Sequence, residues 1–334
     1  MPRVLVAGKI HADGLAILRQ APGVVVDYVE EVSAESYRPF LPTADALLIR
    51  TQPLTAGHVE EAPNLRIVSR HGVGYDSVDV GALNSRHIPL AVVGDVNSRA
   101  VAEHAAMLML AAARRTVLFD RKMRAGDWNY RNSLDATELD GGTLLLVGFG
   151  RIGKRLAQIA GALGMTVLAY DKFQDAAGIA AAGVIPVDDL MDGLRRADVV
   201  SLHVPKVGDK ALIGAAELAV MKPSAILVNT ARGGLIDEAA LVAALDDGRI
   251  AAAGLDVFED EPPRANSPLL ANERVVMSPH NAGLTEACAR RMAVAAAQNI
   301  LDFFKGTLDP ALVVNRAEIA ARRPATIGAL EDPA

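Results

Sequence analysis

The sequence predicts an α/β protein of two domains, each a doubly wound parallel sheet. Three observations lead there. Short runs rich in Val, Ile and Leu alternate with longer stretches of helical spacing, the trace left by repeated βαβ units. The 334 residues suit two cores at roughly 150 residues per domain. The helical stretch Asp95–Arg115 then interrupts the alternation before it resumes.

In the first third, Arg3–Val6, Val24–Val29, Ala46–Ile49, Arg66–Ser69 and Leu90–Val93 read as strands, separated by stretches such as Ala12–Gln20 with helical spacing. These five strands make one small open sheet. The long helix from Asp95 to Arg115, with Asn97 or Ser98 as N-cap and an apolar face through Ala105–Ala113, carries the chain into the second domain. There Thr143–Gly148 is an almost fully apolar strand. It leads into a helix with Ile152, Leu156, Ile159, Ala160 and Leu163 on one face. Thr166–Tyr170, Asp198–Val204, Ala225–Asn229, Gly254–Val257 and Arg274–Ser278 complete an expected six-stranded sheet. The helical segment Thr285–Phe304 leads back to the first domain. The expected division is therefore residues 1–96 plus 285–334 for the smaller domain and 97–284 for the larger. Arg316–Ala334, with few large apolar residues and two prolines, reads as a poorly ordered tail.

Composition excludes several classes. Lys and Arg total 34 against 40 for Asp and Glu, a net charge of −6 with no long single-sign run, which argues against a nucleic-acid partner. Hydrophobic residues make up 51%, so the chain is not disordered as a whole. The longest apolar run, Ala105–Ala113, is about half of the roughly 18 residues a membrane span needs. The opening Met1–Lys9 holds too short an apolar stretch for a signal-peptide core, and a cytoplasmic protein is expected. The single cysteine, Cys288, excludes intrachain disulfides and a cysteine-rich metal site. It reads as a packing residue, and no metal is expected.

Gly148-Phe149-Gly150-Arg151-Ile152-Gly153 is a GxGxxG, which alone is a weak signal because glycines also serve ordinary turns. Its context strengthens it: an apolar strand before, an amphipathic helix after, and Asp171 at the end of the next strand, 23 residues beyond Gly148. The first glycine permits the turn, the second lets backbone approach a pyrophosphate, and the third lets helix lie on sheet. The helix N-terminus adds N–H groups and positive dipole. Asp171 suits the hydroxyls of a ribose and opposes a 2′-phosphate, pointing to NAD; a simple cap after Tyr170 is the other reading.

Three ionisable residues follow successive β-segments of the same sheet: Arg232, Glu261 and His280. Ligands bind at such strand ends in open α/β sheets. Each alone has a plain explanation as a surface charge or a cap, but their joint occurrence beside the glycine fingerprint points to catalysis.

Taken with Arg70-His71-Gly72-Val73-Gly74-Tyr75-Asp76, Val101-Ala102-Glu103-His104, Asn229 through Glu238, Leu255-Asp256-Val257-Phe258, Glu261-Pro262 and Ser278-Pro279-His280, the chain resembles the D-isomer-specific 2-hydroxyacid dehydrogenase family, of the phosphoglycerate dehydrogenase type. The match covers about residues 3 to 315. The resemblance implies a Rossmann-type NAD-binding domain as the larger unit, a flavodoxin-like substrate domain as the smaller, and a cofactor cleft between two domains of a homodimer. It implies Arg232, Glu261 and His280 as catalytic residues. Gly148, Phe149, Gly150, Arg151, Ile152, Gly153, Asp171, His203, Pro205, Thr230, Ala231, Arg232, Asp256, His280 and Gly283 would contact NAD. Arg50, Arg70, Val73, Gly74, Arg232 and His280 would contact the substrate.

In that reading protonated His280 gives its proton to the carbonyl oxygen, Glu261 orients it, and Arg232 grips the carboxylate of a small anionic 2-hydroxy or 2-oxo acid. Arg50 and Arg70 point to a second anionic group and so to 3-phosphoglycerate, unless they are solvated or paired with neighbours such as Asp76. Glycerate with hydroxypyruvate is the alternative. A nicotinamide-sensing corepressor on the same fold is the reading from another class. Two departures stand out: Lys206-Val207 replaces the family's common Leu-Thr pair, and the chain ends soon after Asn315, so a short form without serine feedback is expected. Trp128, in the connection Phe119–Ala136, would face a partner subunit or its own domain.

Overall fold

Strands whose residues are apolar at every position, rather than at alternate ones, need cover on both faces, and the chain supplies helices to both sides of two parallel sheets. The computed structural model describes residues 1–322. It divides into two compact units, one formed by Met1–Asn97 with the residues from Glu286 onward, the other by Ser98–Thr285.

Unit 1 contains β1 (Arg3–Ala7), β2 (Val25–Val29), β3 (Ala46–Ile49), β4 (Ile67–Arg70) and β5 (Leu90–Ala91). They lie in the order β2-β1-β3-β4-β5 with every neighbour parallel, the flavodoxin-like order. The helix Glu286–Lys305 returns to this sheet. Ser69 Oγ donates to the carbonyl of Ala296 and Asn299 Nδ2 to that of Val92. A Cβ on Gly14 would stand 2.7 Å from the Ala293 carbonyl oxygen, so the helix Ala12–Gln20 packs against it backbone to backbone. Beyond it the chain adds an antiparallel bridge to β5 at Val313. Buried Asn315 accepts the N–H of Leu90 and donates to Asn84 Oδ1 and the Ile88 carbonyl.

Unit 2 contains β6 (Thr143–Val147), β7 (Thr166–Tyr170), β8 (Ile185–Pro186), β9 (Val199–Leu202), β10 (Ile226–Asn229), β11 (Ala252–Leu255) and β12 (Val275–Met277). Their order is β12-β11-β10-β9-β6-β7-β8, all parallel. Connections run outward in both directions from β6 and β9, which marks the ligand crevice of such a sheet. The pleat sorts β6 onto two cores. Leu145 and Val147 pack with Leu168, Val200 and Leu227. Leu144 and Leu146 pack with Val199, Val228 and the Ala-rich face of the helix Ser98–Ala113.

The sheet has seven strands where six were expected. The extra one, Ile185–Pro186, is an edge strand of two residues, too short to show periodicity and carrying a proline that edges tolerate. The expected helix Asp95–Arg115 spans only Ser98–Ala113; Arg115 adopts a left-handed φ of 51° and a second helix, Thr116–Arg124, follows. Arg316–Arg322, expected to be part of a poorly ordered tail, is helical, with the N–H of Ile319 donating to the Asn315 carbonyl. The rest of that expected tail lies outside the described residues.

Candidate active site

The glycine fingerprint sits where β6 meets β9. Gly148 has a φ of +101°, and a Cβ there would stand 2.6 Å from the His203 carbonyl oxygen at the end of β9. A Cβ on Gly153 would stand 2.3 Å from the Gly148 carbonyl, so the helix Arg151–Ala162 lies directly on the turn. Gly150 is its N-cap and provides no side-chain cap, while a Cβ there would meet nothing within 4 Å. The first-turn N–H groups and the helix dipole thus face open space, as a pyrophosphate requires.

Asp171, at the end of β7, accepts the Phe149 N–H on Oδ2 and those of Phe173 and Gln174 on Oδ1, at 2.7–3.0 Å. Burial would raise its pKa, but these three amides and Lys154 outweigh it and hold the carboxyl below its ordinary value. The cap reading of Asp171 is what the hydrogen bonds show, and they leave its carboxylate as a fixed negative charge beside the fingerprint. Phe149, predicted to touch the cofactor, has its side chain in the core and its N–H on Asp171; it buttresses the turn. Arg151 is exposed and Ile152 half-buried.

His203 Nδ1 and Thr230 Oγ1 are buried with no hydrogen-bond partner among the described residues. His203 Nε2 pairs with Ser201 Oγ at 2.9 Å, and burial lowers its pKa to about 4. Two orphaned polar atoms at the ends of neighbouring strands β9 and β10 of the sheet that bears the fingerprint fit a polar ligand such as a dinucleotide. Pro205 and Lys206 follow on the exposed loop, where the Lys206 amine lies against Gly234.

The three ionisable residues come together at the far strand ends. Arg232 follows β10 in a turn held by Asn229, whose Oδ1 accepts the Ala231 N–H at 3.0 Å and whose Nδ2 donates to the Arg232 carbonyl at 2.8 Å. Gly233 explains the Arg-Gly-Gly sequence: a Cβ there would be 1.7 Å from the Phe258 carbonyl oxygen, so only glycine lets this turn touch the segment bearing Glu261. Glu261 Oε1 accepts the Phe258 N–H at 3.2 Å and Oε2 meets His280 Nδ1 at 2.6 Å. The contact with Glu261 raises the His280 pKa, partly offset by burial; Asp256 adds to the rise and Arg232 opposes it. Burial pushes the Glu261 carboxyl up, but His280, the Phe258 amide and Arg232 bring it below its usual value. The result is a histidine–carboxylate pair, biased toward its charged form, beside a guanidinium. Asp256, expected only as a cofactor contact, is fully buried and holds the backbone of the His280 loop; Gly283 ends that loop half-buried.

Within unit 1, Arg50 follows β3 and Arg70 ends β4. Arg50 Nη1 donates to the Lys9 carbonyl at 2.9 Å, and Arg70 Nη1 lies 3.4 Å from the carbonyls of Ile49 and His71. Burial lowers the Arg50 pKa. Val73 and Gly74 lie half-buried in the turn that follows. Buried His71 joins this group unpredicted: burial, with Arg50 and Arg70 nearby, lowers its pKa to about 4.

Residues 106–282 match the model of the D-isomer specific 2-hydroxyacid dehydrogenase NAD binding domain. The chain belongs to that family. It is 37% identical over 310 residues to the D-3-phosphoglycerate dehydrogenase of Methanocaldococcus jannaschii, covering 92% of this chain and 58% of that protein. Against the glyoxylate reductase of Aeropyrum pernix it is 38% identical over 332 residues, 97% of this chain and 98% of that one. A crystal structure of a protein from Thermus thermophilus superposes with a TM-score of 0.86 at 33% identity, over 92% of this chain and 98% of the other. The chain thus spans little more than half of the phosphoglycerate dehydrogenase it matches. Among the described residues no helix is long and apolar enough to cross a membrane.

Proposed function

We propose that this chain is an NAD-dependent dehydrogenase that interconverts a 2-hydroxy acid and its 2-oxo acid, with His280 as acid–base residue. The observation that carries the reading is the 2.6 Å contact between His280 Nδ1 and Glu261 Oε2 on the sheet that bears the dinucleotide fingerprint. Bound nicotinamide supplies or takes up the hydride. The residues of the chain do the rest. With Nδ1–H committed to Glu261, the proton on Nε2 is the one His280 gives to the carbonyl oxygen in reduction and recovers in oxidation. Arg232 binds the substrate carboxylate with its planar fork and polarises the adjacent carbonyl. Gly148, Gly150 and Gly153 shape the pyrophosphate seat, and His203 and Thr230 offer it polar atoms. The fixed carboxylate of Asp171 favours NAD over NADP; Asp171→Ala should narrow the preference, and comparable kcat/KM for NADPH in the unaltered protein would refute it.

The finer reading is 3-phosphoglycerate as substrate. Arg50 and Arg70, at two strand ends of unit 1, suit an acid with a second anionic group, while the amides of Val73 and Gly74 would hold the other side of the carboxylate that Arg232 binds. A second reading, a glycerate dehydrogenase acting as hydroxypyruvate or glyoxylate reductase, draws on the Aeropyrum pernix relative, which this chain matches over nearly its whole length. A homodimer is part of the proposal. Met107, Leu110, Val117, Met123, Trp128 and Leu134 are all exposed along the helices Ser98–Ala113 and Thr116–Arg124 and the turn after them, apolar side chains that a partner subunit would cover.

The test is NADH oxidation, followed at the nicotinamide absorbance, with a panel of 2-oxo acids including hydroxypyruvate and glyoxylate. A parallel series compares kcat/KM for 3-phosphoglycerate, glycerate and D-lactate, repeated with Arg50→Ala. Preference for the phosphorylated acid that Arg50→Ala selectively removes supports the finer reading; equal losses on both acids reject it. Binding of NADH without turnover of any acid would reduce the protein to a nicotinamide sensor.

A further inference from the structure

Behind the His280–Glu261 pair lies a second, buried chain of hydrogen bonds. Asp256 follows β11 and is fully buried. Three consecutive amides end on it: His280 N–H donates to its carbonyl at 2.8 Å, Asn281 N–H to Oδ1 and Ala282 N–H to Oδ2, both at 2.9 Å. The loop wraps around one aspartate, and His280 within it adopts a left-handed φ of 48°, a conformation a non-glycine residue keeps only when its surroundings impose it. The Ser278 hydroxyl donates to Asp256 Oδ1 at 2.6 Å. Its one proton is thereby spent, so toward His104 Nε2, 2.7 Å away, Ser278 Oγ acts as acceptor. His104 must therefore carry a proton on Nε2. That nitrogen is also 3.5 Å from Asp256 Oδ1, with the His104 side chain only 16% exposed.

We infer that His104, on the helix Ser98–Ala113, is a positioning residue for the acid–base pair: its Nε2–H fixes the Ser278 hydroxyl, which fixes the Asp256 carboxylate, which holds the loop that aims His280 at Glu261. The functional part of this inference rests on the reading of His280 as the acid–base residue; the structural part does not. The charged groups that act on His280 are Glu261, Asp256 and Arg232. Two of the three, Glu261 and Asp256, favour its protonated form, and the His104 chain keeps Asp256 and the His280 loop in place. Loss of the Nε2 donor leaves the Ser278 oxygen unsatisfied and its rotor free, so the loop loosens and His280 becomes a weaker base. No spacing rule brings these residues together, since Ser278 is 174 residues from His104.

The test compares His104→Leu, which removes the donor, with His104→Gln, whose amide nitrogen reaches about as far and still donates, and with Ser278→Ala and the Ser278→Ala/His104→Leu pair. Two readouts are taken. The first is the titration of the His280 ring protons by NMR without cofactor, which needs no turnover; the second is kcat and KM against pH. In His104→Leu the His280 titration should fall by half a pH unit or more. The alkaline limb of reduction should follow it, and kcat should drop about tenfold at little-changed KM. His104→Gln should recover most of both, and the double variant should be no worse than Ser278→Ala alone. An unshifted His280 titration in a folded His104→Leu protein overturns the inference, as does failure of His104→Gln to recover it. If His104→Leu does not fold, Ser278→Ala carries the same expectation and the same refutation. Absence of turnover in the unaltered protein would refute the proposed function and leave the titration to decide this inference alone.

Discussion

In the proposed mechanism His280 carries the acid–base step of the larger unit, and its behaviour with pH follows from its neighbours. Glu261 raises its pKa above the ordinary histidine value, so the imidazolium persists to higher pH than in a free histidine. Reduction, which consumes that proton, should be constant at low pH and decline as pH rises through the raised pKa; oxidation, which needs the neutral ring, should rise over the same range. Replacing His280 by Ala should lower kcat by ~100-fold or more in both directions with NADH affinity nearly unchanged. Stopped-flow turnover beside fluorescence titration of NADH checks both, and wild-type-like turnover would remove His280 from the mechanism. At this scale the sequence marked Arg232, Glu261 and His280 as candidates because each stands in a recognisable turn, and the structure brings the three together at neighbouring strand ends. The sequence was silent on Asn229, Ser278 and His104 as supports. Their partners lie between 2 and 174 residues away, and a hydrogen bond leaves no composition signal.

Among elements, the junction of β6 with the helix Arg151–Ala162 decides whether a dinucleotide fits. The glycine spacing announced the junction and its close helix–sheet contact, and the structure adds what Gly153 meets there, the Gly148 carbonyl on which the helix is seated. A Gly153→Ala substitution must push the helix off the turn, a misfit of about 1–3 kcal/mol, which corresponds to roughly five- to 150-fold in NADH affinity if the helix N-terminus is displaced. Equilibrium binding of NADH measures this, and unchanged affinity would mean the helix can shift without cost. The Arg-Gly-Gly segment shows the same asymmetry: sequence marks it, and the approach of Gly233 to Phe258 explains it. Elements escaped prediction where they were too short or too polar for periodicity to register. Ile185–Pro186 has two residues, and Arg316–Arg322 has one large apolar side chain, Ile319.

At the scale of the whole molecule, two histidines whose rings are withdrawn from water lower stability toward acid pH. His71 and His203 titrate at about 4 in the folded protein and near 6.5 once exposed. Each stabilises fully above the unfolded value, and its contribution is lost as pH falls from about 6.5 to about 4, where the unfolded chain binds the extra proton. The loss amounts to roughly 3 kcal/mol per histidine over the full window. Urea midpoints at pH 7 and pH 5 should therefore differ markedly, and His71→Gln should flatten the difference; a pH-independent midpoint would contradict it. Light scattering at micromolar concentration should give twice the 35.1 kDa chain mass, and a monomer mass would reject the apolar face as a dimer surface. The two-sheet architecture was legible from strand alternation, while the antiparallel bridge at Val313 was not, because a one-residue pairing has no pattern. That bridge and Asn315, which ties itself to Asn84, Ile88 and Leu90, set an order of assembly on the ribosome. The larger unit is one continuous stretch and can close as soon as residue 285 has emerged. The smaller unit, although its strands are made first, must wait with its fifth strand uncovered until residue 315 appears, a delay of several seconds at roughly 5–20 residues per second. The half that is translated first is the half that finishes last.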